Sequence, residues 1–287
     1  MTSREVARLV DLGWRAGSVP VAPGGVRYVQ RDAEVSYPAG GLAALGLDGG
    51  QGYWFDHRAR EVGDVLTGAT DARTIWDVGA GSGSMSARLS RQGFDVVSVE
   101  PLPEGAAAIA DLRCGDVFCG TLESLELPDH SVQAIGFFDV LEHLDDPRSV
   151  LDEARRVLAG GGVVVATVPA FQWLWSNADD NAGHHRRYTR GQLDELMASC
   201  GLHRVTTRYI FASLLPLAFA LRTIPYRLGR RLTREQALAK SAKRLAPSKP
   251  IDRTARAVLG AEHAIARRIA LPFGLSVLGA YRAPADG

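Results

Sequence analysis

Asp77, Gly79, Gly81 and Gly83 lie in the segment IWDVGAGSGSMSARL, residues 75–89, where an apolar run enters a glycine-rich turn and then helix-forming residues. Glycines so spaced let the backbone take positive φ and let a ligand approach with no Cβ in the way. An acid two residues ahead of the first glycine can accept hydrogen bonds from a cationic amine, and it would repel a pyrophosphate. Dinucleotide sites carry G-x-G-x-x-G over a helix N-terminus, whereas the spacing here is G-x-G-x-G behind an acid. Charge and spacing favour S-adenosylmethionine over NAD. A second acid supports this choice: Glu100 ends the apolar run FDVVSV, 17 residues beyond Gly83. That is close to where a ribose-binding carboxylate is expected, with both hydroxyls in its grip.

Two further polar groups could do proton chemistry. Glu142 and His143 follow the apolar run that ends in Phe138 and Asp139, and histidine is a natural base for a phenol or alcohol because it titrates near neutrality. The plainer alternative is that the pair caps the next helix. Asp179, His184, His185, Arg186, Arg187 and Tyr188 form the second group. His184 or Tyr188 could serve as base, and Arg186 and Arg187 could hold an anionic group through their planar forks. The alternative is a charged loop before a capped helix. His143, Asp179 and His184 could bind a divalent ion only if the fold brings them together, so spacing assigns no metal.

These residues need a scaffold that puts strand ends on one rim. A short strand candidate, residues 26–30, stands among N-terminal breakers (Gly17, Pro20, Pro23, Gly24, Gly25, Pro38, Gly40 and Gly41). Further strands are expected at about 73–78, 94–99, 116–119, 132–138 and 162–168, alternating with helices at about 84–92, 103–111 and 148–158. Such alternation makes a doubly wound α/β sheet with ligands at the carboxyl ends of its strands. Thr189 and Gln192 have capping-box spacing and open a helix through Cys200. Strands follow at 204–210 and, only after some 60 residues, at about 275–282. The gap holds an apolar stretch broken by Pro216, then arginines at 222, 227, 230, 231 and 234. It could be a lid over an apolar substrate, an oligomer contact, or a segment lying in a membrane interface.

In the order and content of these motifs the chain resembles the class I S-adenosylmethionine-dependent methyltransferases, well over residues 52–210 and again at 272–282. Similarity extends to polyprenyl-hydroxyphenol O-methyltransferases and secondary-metabolite tailoring enzymes. The resemblance implies a Rossmann-like, seven-stranded, mostly parallel sheet with a helical insertion before the last strand. It divides the chain into a small irregular N-terminal lobe (1–52), the cofactor-binding core (53–210), the basic insertion (211–272), and the last strand and tail (273–287). It implies cofactor contacts at Asp77, Gly79, Ala80, Gly81, Gly83 and Glu100, at Thr121 and Leu122 beside the adenine, and at Phe138 and Asp139 beside the methionine moiety. Many members carry Asp where Thr121 stands. Glu142 and His143 fall in the segment that faces the methyl group in similar enzymes. Tyr53 and Trp54, opening a helix with apolar residues at helical spacing, would close over the cofactor or serve as plain core aromatics.

Composition bounds the rest. Residues 1–203 carry 17 Lys and Arg against 28 Asp and Glu, whereas residues 204–287 carry 16 against 4, so a net charge of +1 conceals two opposite halves. A basic end suggests an anionic partner, a membrane surface or a phosphorylated substrate, or else a face packed on the acidic core. Cys114, Cys119 and Cys200 lack metal-ligand spacing and fit ordinary thiols in a reducing cytoplasm. The first residues hold charges throughout and do not read as a secretion signal. No stretch reaches the roughly 18 apolar residues of a membrane span. The arginines interleave with aliphatic residues rather than stacking aromatics, which argues against nucleic acid. The reading is a cytoplasmic enzyme, with peripheral contact at the inner membrane face through 211–234 left open. It moves a methyl group from S-adenosylmethionine, leaving S-adenosylhomocysteine, to a hydrophobic or lipid-like small molecule, at oxygen. The alternative is a natural-product enzyme that uses the same cofactor for a rearrangement or cyclisation without transfer.

Overall fold

Runs rich in valine, isoleucine and phenylalanine form the middle of the sheet because both of its faces are covered. In the computed structural model, which describes residues 4–11, 13–30, 52–233, 236 and 248–285, all five residues of β2 (Thr74–Val78) are buried. Beside it lie β3 (Asp95–Glu100) and β5 (Val132–Phe138), each with one exposed residue. With β1 (Val26–Tyr28), β4 (Gly115–Cys119), β6 (Leu158–Pro169), β7 (His203–Ile210) and β8 (Ser276–Arg282) they make one sheet of order β1-β4-β3-β2-β5-β6-β8-β7. The pairs up to β6 are parallel. β8 inserts between β6 and β7 and runs antiparallel to both.

Among the described residues the sheet has eight strands, correcting the expected seven. The extra one is β1, which pairs in parallel with β4 from Val26↔Val117 to Tyr28↔Cys119. Arg27 meets Asp116 across that edge at 3.8 Å. Three residues carry too little alternation to show which edge they join, so the pairing is not legible locally. The chain before β1 is also built into the core. Val6 and Leu9 on α1 (Arg4–Asp11) are buried there, and Trp14 donates its indole N–H to the Leu125 carbonyl at 2.6 Å. Of the N-terminal breakers, Pro38, Gly40 and Gly41 lie outside the described residues.

Helices α2 (Tyr53–Ala69), α3 (Ser84–Arg91), α4 (Pro103–Asp111), α5 (Pro147–Val157) and α7 (Arg190–Ser199) follow the expected alternation, whereas α6 (Asn177–Ala182) is a short helix where the sequence reads as the start of a charged loop. The capping box at α7 forms as its spacing implies: the Gln192 carboxamide oxygen accepts from Thr189 N–H at 2.8 Å, and Thr189 Oγ1 accepts from Gln192 N–H at 3.2 Å.

Between β7 and β8 a helical run, 215–227, changes to π geometry at Phe219–Thr223. Pro225 has no N–H to give to the preceding turn, and the run absorbs that defect just before it. The longer helix α8 (Lys249–Ala266) then returns along α2. Buried polar contacts tie it down. Glu262 accepts from Ala212 and Ser213 N–H at 2.9 and 2.8 Å, and Glu61 on α2 meets Arg208 at 2.7 Å and His263 at 2.6 Å. Arg234, the last of the basic run, lies outside the described residues. No helix among the described residues is long and apolar enough to cross a membrane.

Candidate active site

The glycine turn between β2 and α3 is held open by backbone conformation. Gly79, Gly81 and Gly83 sit at φ +72°, +60° and +76°, a region that costs most residues roughly 1–2 kcal/mol. A Cβ at Gly79 would come 2.7 Å from Val140 Cγ2, so the turn after β5 packs directly on this cradle. Gly79 and Ala80 both give their N–H to the Val99 carbonyl, at 2.8 and 3.1 Å, which anchors the turn to the end of β3.

Glu100 stands at that end, buried. Its Oε2 accepts from Gly81 N–H at 2.7 Å and its Oε1 from Leu102 N–H at 2.9 Å. Each oxygen keeps a further lone pair for a hydroxyl donor. Burial pushes its carboxyl up to about 7 against the relief of those two N–H groups, with Asp77 and Glu104 adding to the rise. Asp77 lies beneath the turn, fully buried, where its Oδ2 accepts from Ser86 Oγ at 2.5 Å, and Ser86 Oγ accepts in turn from Ser98 at 2.9 Å. Burial raises Asp77 to about 6. The structure thus commits this acid to α3, through a serine that sequence reasoning did not single out.

Farther along the rim, Phe138 is buried, and Asp139 takes φ +59°. Asp139 accepts from Thr167 Oγ1 at 3.0 Å and pairs at 2.5 Å with Arg58 of α2. Arg58 also lies over the Trp54 ring, which stacks on Phe211 at 3.8 Å and 6°. Tyr53 gives its backbone N–H to Asp252 of α8. Tyr53 and Trp54 therefore join the rim to the insertion. On the other side, Thr121 and Ser124 bond one another in a tight turn and Leu122 is packed in the core.

Glu142, His143, His184 and Tyr188 come together. The edge of one histidine ring faces the other, centroids 4.7 Å apart, and His185 N–H donates to the Glu142 carbonyl at 2.8 Å. Glu142 does not cap the next helix, because Asp146 does so by accepting from Arg148 N–H at 3.0 Å. Its carboxylate is fully buried, neither oxygen has a hydrogen-bond partner, and burial with the nearby Asp139 charge raises it well above the usual carboxylate range. Burial and the neighbouring His184 lower His143 to about 4, so it is neutral. Tyr188 is buried, donates to the Leu141 carbonyl at 3.3 Å and is pushed by burial up to about 12.

The organiser of this cluster is Asp179. As the third residue of α6 it forms a capping box with Ser176, accepting from Ser176 N–H at 2.8 Å. Arg187 grips it with two N–H groups, at 2.7 and 2.9 Å, and spends a third on the Ala170 carbonyl. Burial alone would raise this acid, but His184 and Arg187 outweigh it and hold the carboxyl below the usual range. His184 Nδ1 lies 2.9 Å from Asp179 Oδ1. With an ionised acid there, Nδ1 carries the hydrogen and Nε2 is directed at Glu142, 4.0 Å away. Arg186 gives a hydrogen bond to the Asp145 carbonyl at 2.8 Å. The sequence signal for Asp179 was present: Ser176-x-x-Asp179 has the same capping spacing as Thr189-x-x-Gln192.

A family described as a methyltransferase domain matches residues 76–166, which hold the glycine turn, Glu100 and the Glu142–His143 turn. The chain carries a class I S-adenosylmethionine-dependent methyltransferase domain. An uncharacterized methyltransferase of Mycobacterium tuberculosis is 34% identical over 113 residues, covering 39% of this chain and 43% of that protein. A protein of Mycolicibacterium smegmatis named "Probable S-adenosylmethionine-dependent methyltransferase" is 28% identical over 167 residues, covering 56% and 63%. The chain thus spans about half the length of these relatives. Among solved structures, the [4+2]-cyclase SpnF superposes with TM-score 0.53 at 19% identity, covering 80% of this chain and 81% of that one. A phosphoethanolamine N-methyltransferase of Haemonchus contortus, solved with S-adenosyl-L-methionine, does so at 0.52 and 14%, covering 85% and 57%. At those identities the likeness is one of fold.

S-adenosylmethionine is the cofactor of the methyltransferase domain, and the residues present fit it. Positive φ at Gly79, Gly81 and Gly83 keeps the turn free of side chains, and each oxygen of Glu100 at its edge keeps a lone pair for a ribose hydroxyl.

Proposed function

We propose that the whole chain transfers a methyl group to the oxygen of a hydrophobic or lipid-like small molecule or secondary metabolite. When bound, S-adenosylmethionine supplies an electrophilic methyl group on a sulfonium. Glu100 and the backbone of 79–83 hold the nucleoside, while Asp139, set by Arg58 and Thr167, lies toward the methionine end. The observation that carries an oxygen acceptor is the His143–His184 pair beside buried Glu142. His143 is neutral at physiological pH, and Asp179 fixes the tautomer of His184 so that its Nε2 can take a proton. Arg187 spends three of its five N–H groups on Asp179 and Ala170, and Tyr188 gives its hydroxyl hydrogen to Leu141, so in this reading the two support the histidines.

The lipophilic character rests on the insertion. Leu217, Leu221 and Leu228 are 59%, 67% and 73% exposed, among Arg222, Arg227, Arg230 and Arg231, and the described part of the run carries no acid. Aliphatic side chains flanked by guanidinium groups suit an anionic interface. Asn177 ties the same segment to α6 through the Arg230 carbonyl, so whatever meets the insertion lies near the Asp179 loop. The test is incubation with a lipid extract of bacterial cells, followed by mass spectrometry. An organic-phase product heavier by one methylene, formed one to one with S-adenosylhomocysteine, supports the reading. A rearranged product of unchanged mass with no S-adenosylhomocysteine would replace it.

A further inference from the structure

Glu142 presents a problem that the methyl-transfer reading leaves open. A carboxyl with no exposed surface and no hydrogen bond at either oxygen is costly unless something compensates it. Ligand atoms of Glu142, His143 and His184 all lie within 4.8 Å of one another. The 4.0 Å between Glu142 Oε1 and His184 Nε2 is too long for a hydrogen bond. It is a little beyond the roughly 3–3.6 Å that separates two ligands each about 2.1 Å from a shared ion, so a small inward movement would complete the set. The outer contacts are also of the kind that orient metal ligands. Asp179 accepts the Nδ1 hydrogen of His184, leaving the Nε2 lone pair facing inward, and His143 meets the Gly183 carbonyl.

We propose that Glu142, His143 and His184 bind a divalent transition-metal ion at the acceptor end of the site. Two imidazoles and one carboxylate suit zinc, cobalt, iron or manganese, and three ligands leave coordination positions open. The proposal rests on the methyltransferase reading only for its purpose: an ion here would acidify an acceptor hydroxyl, so the acceptor would be an oxygen compound and the histidines would act as ligands rather than bases. The three residues come from two segments, the turn after β5 and the loop after α6, so an ion would also fasten those segments together.

The test uses the full, tag-free chain, stripped with a chelator and titrated with Co2+ while the visible absorption and S-adenosylhomocysteine affinity are followed separately. One equivalent is expected, with nitrogen and oxygen ligand bands and displacement by Zn2+. Glu142→Gln and His184→Gln should each weaken Co2+ binding at least tenfold, and Asp179→Asn by about 10–100-fold, with S-adenosylhomocysteine affinity within twofold as evidence that the variants fold. Absence of stoichiometric Co2+ binding by the unaltered chain overturns the site, whatever the variants do. Binding that both ligand variants leave unchanged also overturns it. Cobalt binding without S-adenosylhomocysteine binding would keep the site and remove the methyltransferase reading, and the reverse result would do the opposite.

Discussion

Replacing Glu100 with glutamine removes one acceptor from a carboxyl whose two oxygens hold the N–H groups of Gly81 and Leu102. The new amide donor must face one of those donors, and a ribose hydroxyl loses its charged partner. A hydrogen bond to a charged group contributes about 1.5–3 kcal/mol, so the dissociation constant for S-adenosylhomocysteine should rise roughly 10- to 150-fold at pH 8. A pH series adds an independent magnitude. Burial raises the Glu100 carboxyl from 4.5 to about 7, so at pH 5.5 most of the ligand-free protein is protonated there. If the ionised form takes the ribose, binding should be roughly 30-fold weaker at pH 5.5 than at pH 8. Asp77, raised to about 6, contributes at the lower end, but it is common to both proteins and cancels in their ratio. The stability of the ligand-free chain has the opposite sign. A raised carboxyl means that the folded state binds the proton more tightly than the unfolded chain, so this stabilisation is complete below pH 4.5 and lost as pH rises through 7. At 1.36 kcal/mol per pH unit between the two values, the loss is about 3 kcal/mol. Calorimetric titration at several pH values, with melts of the ligand-free proteins, measures both. An affinity within twofold of the unaltered chain at pH 8, with the same pH slope, would refute the ribose assignment.

Three other perturbations probe separate parts of the account. Gly79→Ala, at φ +72° and with its Cβ 2.7 Å from Val140, should cost about 1–2 kcal/mol in thermal unfolding and weaken S-adenosylhomocysteine binding; an unchanged melt would mean that the turn tolerates a Cβ. Glu262→Ala leaves the Ala212 and Ser213 N–H groups without their acceptor, which costs about 1–3 kcal/mol at buried Ala212 and less at exposed Ser213. Hydrogen exchange at those two amides should accelerate, and protection equal to the parent would deny that Glu262 anchors the insertion. The insertion should bring the chain down with anionic but not neutral liposomes, more weakly as salt rises. Changing Leu217 and Leu221 together to serine should abolish sedimentation, and indifference to lipid charge would leave the segment as a lid or an oligomer contact.

How far the sequence reveals this protein depends on how local each signal is. The glycine turn, the strand ends at Glu100 and Asp139, and the Thr189–Gln192 cap are set within a few residues, and the structure has them where the spacing puts them. β1 is local only in part: residues 26–30 read as a short strand between breakers, but its place beside β4, with Asp116 facing Arg27, comes from distant residues. Glu142 is a similar case. Its neighbours in sequence are consistent with a helix cap, and only the packing of the 183–188 loop, held by the Arg187–Asp179 grip, reveals a buried and unpartnered acid beside two histidines. The roles of Arg58 and Glu61 depend likewise on partners 81 residues or more away.

The central claim is transfer of a methyl group to an oxygen atom, and its most direct measurement is nuclear magnetic resonance of the product formed from carbon-13 methyl-labelled S-adenosylmethionine and a bacterial lipid extract. The account predicts a labelled methyl signal in the organic phase at an oxygen-bound position, absent with Glu100→Gln at limiting cofactor. A labelled methyl on nitrogen or carbon, or label only in water-soluble material, would contradict it.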